Sequence, residues 1–158
     1  MNESVSCPLS IAAVADIKGS SAYPNIRGTA TFKPKHNGVV VTIEVLGLPH
    51  SNGECNDRVF GFHIHGGNSC TGNTQDFFAN AGTHFNPDNC KHPEHAGDLP
   101  PIFDNNGYAY FSVFTSRFSI DDIIGKVLII HDMLDDFTTQ PSGNAGTKIA
   151  CGKIMHFR

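Results

Sequence analysis

Basic residues are scarce in this chain, and none of them cluster. Eleven lysines and arginines stand against fifteen aspartates and glutamates in 158 residues, giving a net charge of −4. A protein that grips phosphate backbones or anionic lipid needs its cations gathered on one face. Nucleic acid and membrane surfaces are therefore not expected as partners. Long apolar runs are missing as well: no stretch approaches the ~18 residues that span a bilayer. The amino terminus from Met1 to Pro8 has no positively charged start, and the apolar stretch after it, Ile11 to Val14, is too short for a secretory core. The expectation is a cytoplasmic protein if the chain is full length, and a periplasmic or secreted one if a leader has been removed. Repeats, linkers and low-complexity segments are also absent. The five cysteines are an odd number, so at least one is free, bound to metal or paired with another chain.

What is present points to turns and short strands. Sixteen glycines and nine prolines accompany 39% apolar residues, a composition suited to one globular domain over residues 1–158. Apolar and β-branched runs fall at 11–17, 27–33, 39–46, 58–65, 99–103, 108–114, 126–131 and 148–155. Asn37-Gly38 between the second and third runs predicts a hairpin, because both residues tolerate positive φ, and 104–107 gives a second turn. Ser119 to Asp122 predicts one helical turn before Gly125. About eight strands with two long loops, 66–97 and 132–147, favour an antiparallel all-β sandwich or barrel.

The densest chemistry lies between Phe62 and Asp98, where five of the nine histidines fall. On a strand, alternate side chains share a face, so His63 and His65 project together while Phe62 and Ile64 face the other way. His84, His92, His95 and Asp98 are three imidazoles and a carboxylate, the closed ligand set of a structural Zn²⁺. Pro87 and Pro93, with Asn86, Asp88 and Asn89, supply the bends that bring them inward. His131 ends an apolar strand, where a buried imidazole needs a partner. His36, His50 and His156 carry no such pattern and remain unassigned. A structureless connection as long as 66–97 is normally functional, and a bound ion is one source of its order.

Gly-Phe-His-Ile-His, Ala-Gly-Thr-His-Phe-Asn-Pro, Lys-His, His-Ala-Gly-Asp-Leu, Ile-Ile-His-Asp and Gly-Asn-Ala-Gly-Thr-Lys-Ile-Ala-Cys-Gly occur in this order across about residues 11–155. Together they resemble the copper-zinc superoxide dismutases. The resemblance implies an eight-stranded Greek-key β-sandwich or barrel that converts superoxide anion to O₂ and hydrogen peroxide. It implies one copper per chain on His63, His65, His84 and His131, and one zinc on His84, His92, His95 and Asp98, with His84 bridging the two. By the same resemblance, Asp135 accepts hydrogen bonds from one histidine of each metal, and Cys70 pairs with Cys151. His84 carries a proton and Lys148 guides the anion. A homodimer and a copper chaperone are the protein partners that the resemblance brings in.

Three departures qualify that picture. The family usually has an arginine at the position of Lys148, and lysine keeps the charge but loses the planar two-pronged donor. The segment between Asp135 and Lys148 is short and holds no charge beyond Asp136, so weak anion steering is expected. His92 and His95 are unusually close, and Cys90 precedes them by two residues; it is open to a disulfide with Cys55, to zinc or to neither. The rival reading is a non-catalytic copper-binding or zinc-stabilised relative. A zinc hydrolase would want an acid where Gly67 stands, and blue copper would want a cysteine ligand beside a histidine.

Overall fold

The structure is a computed structural model that describes residues 10–55 and 58–158, so Cys7 lies outside the described residues. Among the described residues nine strands form: β1 Ala13–Gly19, β2 Arg27–Lys35, β3 Gly38–Leu46, β4 Val59–Phe60, β5 Phe62–His65, β6 Ile102–Phe103, β7 Tyr108–Thr115, β8 Val127–His131 and β9 Lys148–His156. Seven of them make one antiparallel sheet in the order β5-β8-β9-β1-β2-β3-β7, while β4 and β6 pair on their own. Neighbours such as β3 and β7, or β9 and β1, are far apart in the chain, which gives the crossing connections of a Greek key.

Alternation builds the core. Ala13, Ala15 and Ile17 of β1, Ala30 and Phe32 of β2, and Val41, Ile43 and Val45 of β3 point inward. Phe60, Phe62, Ile64, Leu128, Ile130 and Ile102 join them in one cluster, so the two ends of the sheet share a core. Each fully buried large side chain of this kind contributes about 1.5–3 kcal/mol.

Three local expectations shift. The β2–β3 turn is centred on His36 and Asn37, because Lys35 pairs with Gly38, and the positive φ (51°) falls on His36. The run 58–65 is one strand broken at Gly61, and counted as one it restores the eight strands expected. The Gly61 amide donates to Met133 O (2.7 Å) and its carbonyl accepts from His131 N (2.8 Å). A Cβ at Gly61 would stand 2.9 Å from that of Ala145. The backbone therefore leaves the β4–β6 pair at Gly61 and enters the main sheet against the 132–147 loop. The run 99–103 keeps only two paired residues, since Pro100 and Pro101 have no amide to donate.

Ser119 opens a helical turn, α1 Ile120–Ile123. Its amide and hydroxyl both donate to Asp122 Oδ2, at 2.8 and 2.7 Å. Every residue of β8 is buried. Leu128 and Ile130 face the core, whereas Val127 and Ile129 are covered by Phe78, Ala81 and the Cys70–Cys151 bridge. That disulfide pins the 66–101 loop to β9.

Candidate metal centre

The site begins with β5. Phe62 and Ile64 enter the core, which turns His63 and His65 to the opposite face, both buried. The long loop then runs back along this strand. Gly66 N donates to Thr83 O (2.8 Å), Phe85 N to Ile64 O (2.8 Å) and Ile64 N to Gly97 O (2.9 Å). These bonds set His84 across from His65 and Asp98 across from His63. Much of the loop's order therefore comes from backbone pairing with β5. His131 arrives from the end of β8, and a turn between these segments supplies His92 and His95.

Eight donor atoms converge. One set joins His63, His65, His84 and His131, the other His84, His92, His95 and Asp98, and within each set the donors lie within 4.8 Å of one another. Donors around one ion at bond lengths of about 2.0–2.1 Å are separated by at most about 4 Å, so each set needs only small closure. The hydrogen bonds show which atoms are reserved. His65 Nδ1 bonds the Gly82 carbonyl (2.8 Å) and His131 Nδ1 the Gly146 carbonyl (3.3 Å), which leaves their Nε2 atoms facing each other at 3.2 Å. His63 is held the other way round, by Nε2 on Asp135 Oδ2 (2.7 Å). His84 Nδ1 reaches Asp98 Oδ1 at 2.7 Å.

Among the described residues four buried ring nitrogens are left without a hydrogen bond: His63 Nδ1, His84 Nε2, His92 Nδ1 and His95 Nδ1. The last two lie 3.1 and 3.2 Å from Asp98 Oδ2, near enough for attraction but not aligned to donate. Buried nitrogens are costly without a partner, and all four point into the two sets. Burial also pushes the imidazoles of His63 and His65 below their ordinary values and that of His131 down to about 3. These rings are neutral at physiological pH, as metal ligation requires. The donor set fits copper and zinc.

Asp135 ties the sets together. Its Oδ2 accepts from His63 and its Oδ1 from His92 Nε2 (2.8 Å) and the Phe137 amide (2.8 Å). Burial raises this carboxyl, but the bonds from His63, Phe137 and His92 outweigh that and hold it at about 2. Such contacts fix the tautomer and direction of a metal-binding ring.

Several contributors were not legible in the sequence. Gln140 takes His92 N on Oε1 (2.9 Å) and gives Nε2 to His92 O (2.7 Å), clamping the 132–147 loop to the histidine turn. Arg117 Nη1 reaches the carbonyls of Pro93 (2.8 Å) and His95 (3.2 Å). Gly143 packs so closely that a Cβ would fall 1.9 Å from Asp135 Oδ1. Gln140 and Arg117 act over long sequence separations, and a lone Gln, Arg or Gly in a polar loop carries no periodic signal.

A cavity of about 370 Å³ opens onto His65, His84 and His131, with Thr83, Pro141, Ser142, Gly146 and Lys148 among its walls. Lys148 thus lines the cavity over these rings, although its Nζ is bonded to Asp76 Oδ2. Among the described residues Cys55 and Cys90 are free thiols and do not bridge each other, and Cys90 belongs to neither ligand set. His36, His50 and His156 are exposed and stand apart from both sets.

The family model described as copper/zinc superoxide dismutase (SODC) matches residues 26–154. Superoxide dismutase [Cu-Zn] 2 of Aquifex aeolicus is 34% identical over 158 residues, covering 88% of this chain and 87% of that protein. Superoxide dismutase [Cu-Zn] of Deinococcus radiodurans is 34% identical over 149 residues, 80% and 76% of the two chains. Superoxide dismutase [Cu-Zn] A of Xenopus laevis is 30% identical over 160 residues, 91% and 97%. With the family's motifs assembled into two histidine sets that share one ring, the chain belongs to the copper/zinc superoxide dismutase family.

Proposed function

We propose that this chain dismutates superoxide, turning two superoxide anions and two protons into O₂ and hydrogen peroxide. The observation that carries this reading is the shared ring: His84 belongs to both ligand sets, its buried Nε2 has no hydrogen-bond partner among the described residues, and the residue lines an open cavity. His63 through Nδ1, and His65, His84 and His131 through Nε2, would hold copper. His84, His92 and His95 through Nδ1, with the Asp98 carboxylate, would hold zinc. When bound, copper supplies a redox couple that takes an electron from one superoxide and returns it to another, while zinc has no redox chemistry of its own.

The residues do the rest. His84 Nε2 holds a proton between the two half-reactions and passes it to the peroxide being formed, with solvent giving the second proton. Asp135 locks the rings of His63 and His92, and the Gly82 and Gly146 carbonyls lock those of His65 and His131, so Nε2 of His84 is the ring nitrogen left to exchange a proton. Lys148 gives the cavity wall its positive charge. A non-catalytic copper-binding or zinc-stabilised relative has no use for a cavity over the shared ring.

One copper and one zinc in a single domain over 1–158 complete the proposal, with a second copy of the chain and a copper chaperone as protein partners; family membership supports those two. The test is reconstitution. Protein stripped by a chelator should not remove superoxide, copper plus zinc should restore removal, and zinc alone should not. Removal by the zinc-only protein would refute the reading.

A further inference from the structure

We infer that Asp76 is the counter-charge that holds Lys148 on the cavity wall and cancels its attraction for anions, so that this one carboxylate sets the anion steering of the site.

The pair is built rather than incidental. Lys148 is the cation that lines the cavity over His65, His84 and His131. Its side chain is only 15% exposed, and its Nζ bonds Asp76 Oδ2 while lying 3.4 Å from the Phe78 carbonyl. Asp76 is itself fixed. Its Oδ1 accepts from the Phe78 amide (3.0 Å), its own amide donates to Asn73 Oδ1 (3.0 Å), and its carbonyl accepts from the Asn73 amide (2.9 Å). The Cys70–Cys151 bridge then joins the loop that carries Asp76 to the strand that carries Lys148, three residues from the lysine. A lysine on a four-carbon stem has no fixed direction of its own. Here the carboxylate gives it one, and the charge is spent locally. At the distance of an approaching anion, the wall offers an ion pair in place of a free cation. Asp76 acts through Lys148 and is a positioning residue.

The inference rests on the superoxide reading for its substrate, and its test separates the two. Asp76→Asn keeps the shape and the acceptor for the Phe78 amide while removing the charge. In protein loaded with copper and zinc, kcat/KM for superoxide at low ionic strength should rise roughly two- to five-fold, because a unit charge on the path is no longer cancelled. The gain should fade toward 1 M salt, where screening acts within about 3 Å. Azide, an anion of the same charge, should bind the copper form more tightly by a similar factor, read from its absorbance. In a Lys148→Met background Asp76 is left as a lone negative charge on the wall, so azide should bind more weakly than in the wild type and Asp76→Asn should bring the binding back. Unchanged or weaker azide binding in Asp76→Asn, a gain that persists at 1 M salt, or azide binding that Lys148→Met leaves unchanged would overturn the inference. If the loaded wild type removes no superoxide, the dismutase reading fails, and azide binding alone still decides the role of Asp76.

Discussion

Replacing Asp135 with asparagine removes one charge and one acceptor from a side chain bonded to a histidine of each ligand set. The carboxylate takes ring N–H groups from His63 on one oxygen and from His92 on the other. An asparagine has a single acceptor oxygen. If it serves His92 and the Phe137 amide, its NH₂ opposes His63 Nε2, and that ring is driven to place its proton on Nδ1, the atom aimed at the copper set. Losses of this kind typically cost 10–100-fold in metal affinity. A stability effect accompanies them. The folded carboxyl sits at about 2 against an ordinary 3.8. At 1.36 kcal/mol per pKa unit, its ionised form contributes roughly 2 kcal/mol to folding. Because the folded value is the lower one, this contribution is complete above about pH 5, falls with pH, and vanishes below about pH 2. Metal-competition titrations should therefore show Asp135→Asn losing about 10–100-fold in copper affinity. Urea unfolding of the metal-free, disulfide-intact proteins should give a gap of roughly 2 kcal/mol at pH 7 that narrows on acidification toward pH 2. Copper affinity within two-fold of wild type, or a gap independent of pH, would refute the reasoning.

Two further substitutions probe the same scaffold. Gly143→Ala places a methyl 1.9 Å from Asp135 Oδ1 and 2.6 Å from His92 Nε2 at a φ of +69°; it should destabilise by more than about 2 kcal/mol and speed zinc release in chelator-chase experiments. Gln140→Ala removes both bonds to the His92 backbone and should cost about 1–3 kcal/mol, seen as faster zinc loss with the core strands still protected in hydrogen exchange.

The parts of the fold that follow from alternation and turn chemistry are legible in the chain itself. Phe62 and Ile64 bury, so His63 and His65 must share the other face, and no tertiary knowledge is needed. The His84 to Asp98 spacing likewise declares a ligand set. The break at Gly61 is hidden, because β4 and β5 read as one apolar run and only the approach of Met133 and Ala145 separates them. The β2–β3 turn falls one residue earlier than Asn-Gly implies, since strand pairing carries Gly38 into β3. Family motifs led to Lys148, but its partner Asp76 lies 72 residues away in a turn built on Asn73, and nothing local in the sequence joins the two.

Two ligand sets share His84, and the proposed copper chemistry depends on the set completed by His131. Metal content and superoxide removal of His131→Ala, purified and reconstituted beside the wild type, test it most directly. His131 belongs to the copper set alone, so the variant should keep its zinc, bind copper weakly and lose most of its superoxide removal. Full activity in His131→Ala would rule out a copper site completed by His131.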